Sequence, residues 1–333
     1  MLCWKHPQIL SDTSPLKSWI ILANVTLITT IAIFSAITAM INTDSIIGGL
    51  GIDGALSIWI NILILLGINT FVPVANRFAD RYGYKTIFFL GVFLFGLGTL
   101  FTASAKNFMI LGTGRFIEGA GAGFIFPVGL AAITRSFPKE KLGLAINFYL
   151  GVAFSIGMST GTLVSGYIGQ YLTWPLSFYM LLPFIFISLV ICALFHDETE
   201  LIQRGKFDFW GFLAFAIMIG SVLVGLSEGN LSSTNEGWRS PYIIGLLVLS
   251  FLSFILVIVI ERSVKNPIIP LNIFKDFSFS LGCLVLFCIG LTLFSSIELM
   301  VSYMQLGLLY DKFMIGVVMM TCNSCRLAQI LRP

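Results

Sequence analysis

The stretch NRFADRYGYKT, Asn76 to Thr86, decides how this sequence is read. It sets Arg77, Asp80, Arg81 and Lys85 within nine positions, between an apolar run that ends near Ala75 and another that begins at Ile87. Charge of this kind between two long apolar runs marks a connection between two membrane spans. The rest of the chain repeats the pattern. Hydrophobic residues make up 57% and charged residues 11% of the 333 residues, with a mean hydropathy of +0.96. A soluble globular chain has roughly 45–50% apolar and 25% charged residues. The composition is that of a polytopic membrane protein, with room for about nine or ten spans of about 20 residues each.

The uncharged runs read as helices, because a helix satisfies its backbone donors and acceptors within one lipid-exposed segment. They fall at about 19–41, 55–75, 87–105, 108–133, 142–168, 174–195, 209–227, 241–260 and 278–304, with a partial tenth from about 313. Alternating polar and apolar strands of the barrel type are absent from the sequence pattern. The expected fold class is therefore all-α.

Orientation follows from Lys and Arg. When connections are assigned alternately to two sides, one side receives thirteen: Lys5, Lys17, Arg77, Arg81, Lys85, Arg135, Lys139, Lys141, Arg204, Lys206, Arg262, Lys265 and Lys275. The other receives three, Lys106, Arg239 and Lys312. Positive charge stays on the cytoplasmic side, so the N-terminus is expected in the cytoplasm and Asn76–Thr86 in a cytoplasmic loop between the second and third spans. The first apolar run is too long for a signal peptide and lacks a small-residue cleavage site, so it is expected to remain as an anchor. The net charge of +3 is spread over the loops and leaves no nucleic-acid footprint. Of the six cysteines (Cys3, Cys192, Cys283, Cys288, Cys322, Cys325), most lie in apolar runs, where Cys is a small buried hydrophobe. Cys322 and Cys325 have CxxC spacing, but no second pair and no nearby His accompany them, which argues against a metal site.

The run Asn76, Asp80, Arg81, Gly83, Lys85 resembles the connection between the second and third helices of the major facilitator superfamily, whose pattern is G-x-x-x-D-R-x-G-R-K. Asn76 stands for the first Gly and Tyr84 for the second Arg. The resemblance implies a gate: Asp80 pairs with basic residues across the bundle in one conformation and releases them in another, and Gly83 permits a tight turn. The bland reading of the same charges is a topological anchor. Trp59, Pro73 and Asp80 are spaced as in the second helix of the fourteen-helix drug:proton antiporter branch. GRFIEGAGAG, Gly114 to Gly123, is similar to the fourth helix, R-x-x-Q-G-x-G, with Glu118 in place of Gln. The segment NPIIPLNIFKDFSFS, followed by YMQLGLLYDKFMIG, resembles that branch's connector and ninth helix. The fifth span departs: G-x-x-x-G-P-x-x-G-G becomes GMSTGTLVSG, with Thr162 for Pro and Ser165 for Gly. In the first span the branch's Asp falls on Ser35.

A nucleotide-binding loop must follow a strand and open a helix. GTGRFIEGAG instead lies inside an apolar span, where small residues let helices approach, so Gly119, Gly157 and Gly161 are read as packing glycines. Three ionisable residues lie within spans: Arg115, Glu118 and Glu298. Arg115 and Glu118 are three apart on one helical face, roughly 10 and 15 Å from the helix start. They form either a structural salt bridge or a functional cavity pair at the depth where transporters hold substrate and ions. Glu298 is either part of a substrate pathway or an acid held protonated by burial.

The resemblance implies an N-terminal segment over 1–18, a six-helix bundle over 19–195, a linker over 196–208, two additional helices over 209–260, the start of a C-terminal bundle over 261–322 and a polar tail over 323–333. The last apolar run, FMIGVVMMTC, is short of the length that spans. A fourteen-helix relative continues for four more helices, so a C-terminally truncated chain is expected, with a partner half from another chain as the alternative. The function implied is proton-coupled export of small organic molecules from a bacterial inner membrane, without a cofactor. The partners implied are the bilayer, a small lipophilic substrate, protons, and an adaptor protein or second half-transporter chain. The alternatives are a carrier for another small solute and a non-transporting fragment. An enzyme is not expected, since His6 and His196 both fall in loops.

Overall fold

The computed structural model describes residues 15–197, 208–230, 237–264 and 271–330. The apolar runs become helices α1 (Pro15–Ile41), α3 (Ser57–Tyr82), α4 (Tyr84–Ala103), α5 (Phe108–Ser136) and α6 (Lys139–Tyr171), with a short α2 (Thr43–Leu50) after α1. Then come α7 (Trp174–Tyr179), α8 (Leu182–Phe195), α9 (Phe209–Asn230), α10 (Pro241–Ser263), α11 (Phe277–Ser302) and α12 (Lys312–Ile330). Among the described residues nine helical segments are long and apolar enough to cross a membrane, with Trp174–Phe195 and Phe277–Gly307 each counted as one. The chain is an all-helical, multi-pass membrane protein, as its composition required.

Three local differences from the sequence reading have physical causes. The charged stretch Asn76–Tyr82 is not a loop: α3 runs through it to Tyr82, and Gly83 alone separates α3 from α4. Gly83 makes that reversal with φ 95° and ψ 143°, a conformation that only glycine adopts readily. The connection 42–54 contains α2, whose eight residues carry too little periodicity to be read from sequence. Residues 323–330, expected in a polar tail, continue α12.

By contacts the chain divides into two compact units, Met1–Arg204 with Gly316–Pro333, and Gly205–Ile315. In the first unit α5 is central, flanked closely by α3 and α4, while α1 lies along α6 and reaches α5 and α8. Glycines set these approaches. A Cβ on Gly98 of α4 would meet the backbone of Glu118, with Cα at 2.7 Å, and a Cβ on Gly119 of α5 would meet Ile64 of α3, with Cα at 3.0 Å. On α6, a Cβ on Gly157 would meet Thr30 O at 2.9 Å and one on Gly161 would meet Phe34 Cα at 3.3 Å, both on α1. In the second unit α9 packs on α10, where Ser250 Oγ donates to Met218 O at 3.1 Å. Most large apolar side chains of α10 and α11 are exposed, as suits helices whose solvent is lipid.

Candidate functional site

α5 starts at a capped end, where Asn107 Oδ1 accepts from Ile110 N at 2.9 Å, and two turns later it carries Arg115 and Glu118. Both side chains have 0% exposure, and Arg115 Nη1 donates to Glu118 Oε2 at 2.9 Å. The pair is held from three other helices. Arg115 Nε donates to Ile60 O of α3 at 3.2 Å, and its Nη1 also reaches Ser35 Oγ of α1 at 3.3 Å. Ser35 Oγ in turn donates to Glu118 Oε1, so its hydroxyl is used both as acceptor and as donor. Thr99 Oγ1 of α4, which donates to Phe95 O, stands 3.4 Å from the same carboxylate oxygen. The guanidinium lies 5.8 Å from the centre of the Phe178 ring of α7. Its Nη2 is buried and finds no partner among the described residues.

Arginine stays protonated, so the ion pair neutralises a charge that would otherwise cost several kcal/mol in this environment. Beside the Glu118 carboxylate stand the Arg115 guanidinium and the hydroxyls of Ser35 and Thr99.

A second cluster closes the other end of the bundle. Asp80 Oδ1 accepts from Tyr84 OH at 2.6 Å and lies 3.8 Å from Arg135 Nη2 of α5. Arg135 also sits 3.6 Å over the Tyr84 ring. Tyr84, which stands where the resemblance has a basic residue, thus serves both partners. Lys85 Nζ donates to Ala193 O of α8 at 2.9 Å, and Arg81 sits 5.4 Å over the neighbouring Tyr82 ring. Asn76 is exposed. Nearby, Lys17 pairs with Asp197 at 2.5 Å. His196, at the C-cap of α8, is buried with its ring stacked on Phe88 at 5.1 Å. Asn24 Nδ2 donates to its Nε2 at 3.2 Å, which requires a neutral ring with its lone pair there. Burial, then the positive charge of Lys85, pushes the His196 pKa down to about 4.

The structure thus brings Arg115 and Glu118 together and adds Ser35 and Thr99. It places Asp80 beside Arg135, and sets Gly83, Arg81 and Lys85 at the same end. Glu298 lies on α11, with its side chain outside the described residues, as are those of Cys322 and Cys325. Cys3 and His6 lie outside the described residues altogether. Ser35 is marked in the sequence only as the position of the branch's first-helix Asp, and Thr99, a hydroxyl residue in an apolar span, carries no signal of its own. Arg135 could have been found as the only base in the last turn of the fourth span.

A family model described as the Major Facilitator Superfamily matches residues 21–329. Among curated relatives, the lincomycin resistance protein LmrB of Bacillus subtilis is 26% identical over 290 residues, which are 87% of this chain and 60% of that protein. The multidrug resistance protein Stp of Mycobacterium tuberculosis is 27% identical over 248 residues, 74% of this chain and 45% of that protein. The chain spans about half the length of the curated relatives it matches. Two solved structures share the fold. The human organic anion transporter MFSD10 (TETRAN) has a TM-score of 0.56 at 14% identity, over 96% of this chain and 72% of that one. The peptide transporter POT in complex with sulfate has a TM-score of 0.52 at 18% identity, over 77% and 53%. With a family match over nearly its whole length and that superfamily's helical fold, this chain belongs to the major facilitator superfamily.

Proposed function

We propose that the chain carries the N-terminal half of a proton-coupled exporter of small organic molecules, of the fourteen-helix drug:proton antiporter branch, in a bacterial inner membrane with the N-terminus cytoplasmic. The observation that carries this reading is the bond between Ser35 and Glu118. The branch's first-helix acid falls on Ser35, and the carboxylate that the serine hydroxyl touches belongs to Glu118 on α5, paired with Arg115. Glu118 thus contacts the position where the branch has its acid, which supports reading it as the protonatable group beside the buried arginine. The names of relatives, lincomycin resistance and multidrug resistance, support drugs as substrates. The thirteen-to-three distribution of Lys and Arg supports the orientation. Asp80, Arg81, Gly83 and Lys85 then act as the cytoplasmic gate, with Asp80 holding Arg135 in the closed arrangement.

The test is binding of a fluorescent lipophilic cation to the purified chain from about pH 5 to about pH 8. Wild type should show pH-dependent binding, and Glu118→Gln, which restores the family's usual residue, should flatten it. Superimposable curves would reduce the pair to a structural salt bridge.

A further inference from the structure

The polar groups around Glu118 do not surround it evenly. On α1, Asn24, Ile28, Ile31, Ser35 and Thr38 lie along one helical face, which Asn42 continues just past the helix end with its N–H on Thr38 O, and all are buried. From Ser35 toward Asn42 the face is polar: Thr38 Oγ1 stands 2.5 Å from Ser165 Oγ of α6, and Asn42 Nδ2 donates to Ser165 O at 3.3 Å. Asn42 Oδ1 is buried and finds no donor among the described residues, an acceptor left at the end of the row. From Ser35 toward Asn24 the same face holds only Ile28 and Ile31, both within the apolar core. Thr29 does lie on that side, but on another face of the helix, 3.2 Å from Tyr149 OH.

We propose that Glu118 exchanges its proton through the Asn42 end of α1, by way of Ser35, Thr38 and Ser165, and that Ile28 and Ile31 close the opposite direction. The inference rests on the reading of Glu118 as the proton site. In uptake the proton comes from solvent water at the α1–α2 connection, where Asp44 is exposed, and ends on the Glu118 carboxylate; each hydroxyl between accepts one proton on one lone pair and releases its own to the next group, so none changes its net charge. Ser35 and Thr38 are one helical turn apart on the same face, with about 5–6 Å between their Cβ atoms. The row from Ser35 to Asn42 covers about 10 Å along α1, against about 16 Å of dry face back to Asn24. Arg115 is the one charged group among the described residues that touches the Glu118 carboxylate, and the hydroxyls of Ser35 and Thr99 stand beside it. Removing Thr38 or Ser165 hydroxyls therefore alters the route without altering what the carboxyl touches.

The experiment is a pH jump on the purified full chain, read by the infrared C=O stretch of a carboxylic acid and assigned by its loss in Glu118→Gln. Thr38→Val with Ser165→Ala should slow the protonation of Glu118 by about tenfold or more while leaving its equilibrium titration unchanged. Thr38→Ser should keep the wild-type rate, and so should Thr29→Val. Absence of any pH-sensitive carboxyl band assignable to Glu118 overturns the proposed function itself. A band that titrates with an unchanged rate in the Thr38 and Ser165 variants overturns only the route, as does equal slowing by Thr29→Val. Should the double variant not fold, Thr38→Val alone, nearly isosteric, carries the same expectation and the same refutation.

Discussion

Replacing Arg115 by Met and Glu118 by Leu, singly and together, tests how the buried pair is held. Arg115→Met leaves a carboxylate of zero exposure with the Ser35 hydroxyl as its donor, the Thr99 hydroxyl being engaged with Phe95 O. Glu118→Leu leaves a guanidinium bonded to Ile60 O and Ser35 Oγ and facing Phe178. Stranding one partner of a buried pair costs about 3–5 kcal/mol, whereas replacing both by apolar side chains of similar volume is often neutral or stabilising. The singles should therefore sum to about 6–10 kcal/mol and the double variant should recover most of it. Coulomb's law agrees in scale: 332/(20 × 2.9) for charges 2.9 Å apart at an effective dielectric constant of 20 is about 6 kcal/mol. The assay is thermal unfolding in detergent, followed by size exclusion, for the four members of the cycle. A double variant that loses the sum of the singles, or an Arg115→Met variant as stable as wild type, refutes the reasoning.

Gly83→Ala puts a Cβ on a backbone at φ 95° and ψ 143°, and should cost about 1–3 kcal/mol. An unchanged unfolding midpoint would show that the α3–α4 reversal has another conformation. His196 gives a pH signature. Its folded pKa of about 4 lies below the ordinary 6.5, so the unfolded chain takes up the proton first. Its contribution to stability is complete above about pH 6.5 and is lost as pH falls toward 4, by up to about 3 kcal/mol. In unfolding midpoints measured across that window, wild type should fall relative to His196→Phe, and parallel curves would refute the buried neutral ring.

The spans were legible because hydrocarbon imposes a single strong requirement, a long apolar run with its hydrogen bonds made internally. The pairing of Arg115 with Glu118 was legible as well, since three residues on a helix are neighbours whatever the fold. What could not be read was anything set by the packing of distant helices. Ser35 and Glu118 are 83 positions apart, and Thr99 and Glu118 are 19 apart. Only the approach of α4 to α5 through Gly98 brings the latter together. The charged stretch misled for a related reason. Charges at Arg77, Asp80 and Arg81 look like a loop, yet a helix end that finds Arg135 and Tyr84 as partners can carry them without unwinding. His196 likewise looked like a linker residue until α1 and α4 were seen to bury it.

The placement of the acid has a mechanical consequence. An Asp on α1 at position 35 would reach Arg115 across helices, so that neutralising it would break an ion pair between α1 and α5. With Glu118 on α5, three residues from its arginine, the ion pair lies inside one helix and neutralisation leaves it no interhelical part to break. What joins the acid to α1 is the hydroxyl of Ser35. A hydrogen bond to a charged group contributes about 1.5–3 kcal/mol, more than one to a neutral group. On the proposed reading, protonation of Glu118 weakens the hold of α5 on α1 by no more than that. The difference from a neutral bond is about 1–1.5 kcal/mol, which moves a balanced two-state equilibrium by roughly fivefold to tenfold. A bundle built this way responds to protonation through one hydroxyl, so Ser35→Ala should uncouple movement of α1 from pH while leaving the Arg115–Glu118 pair itself intact.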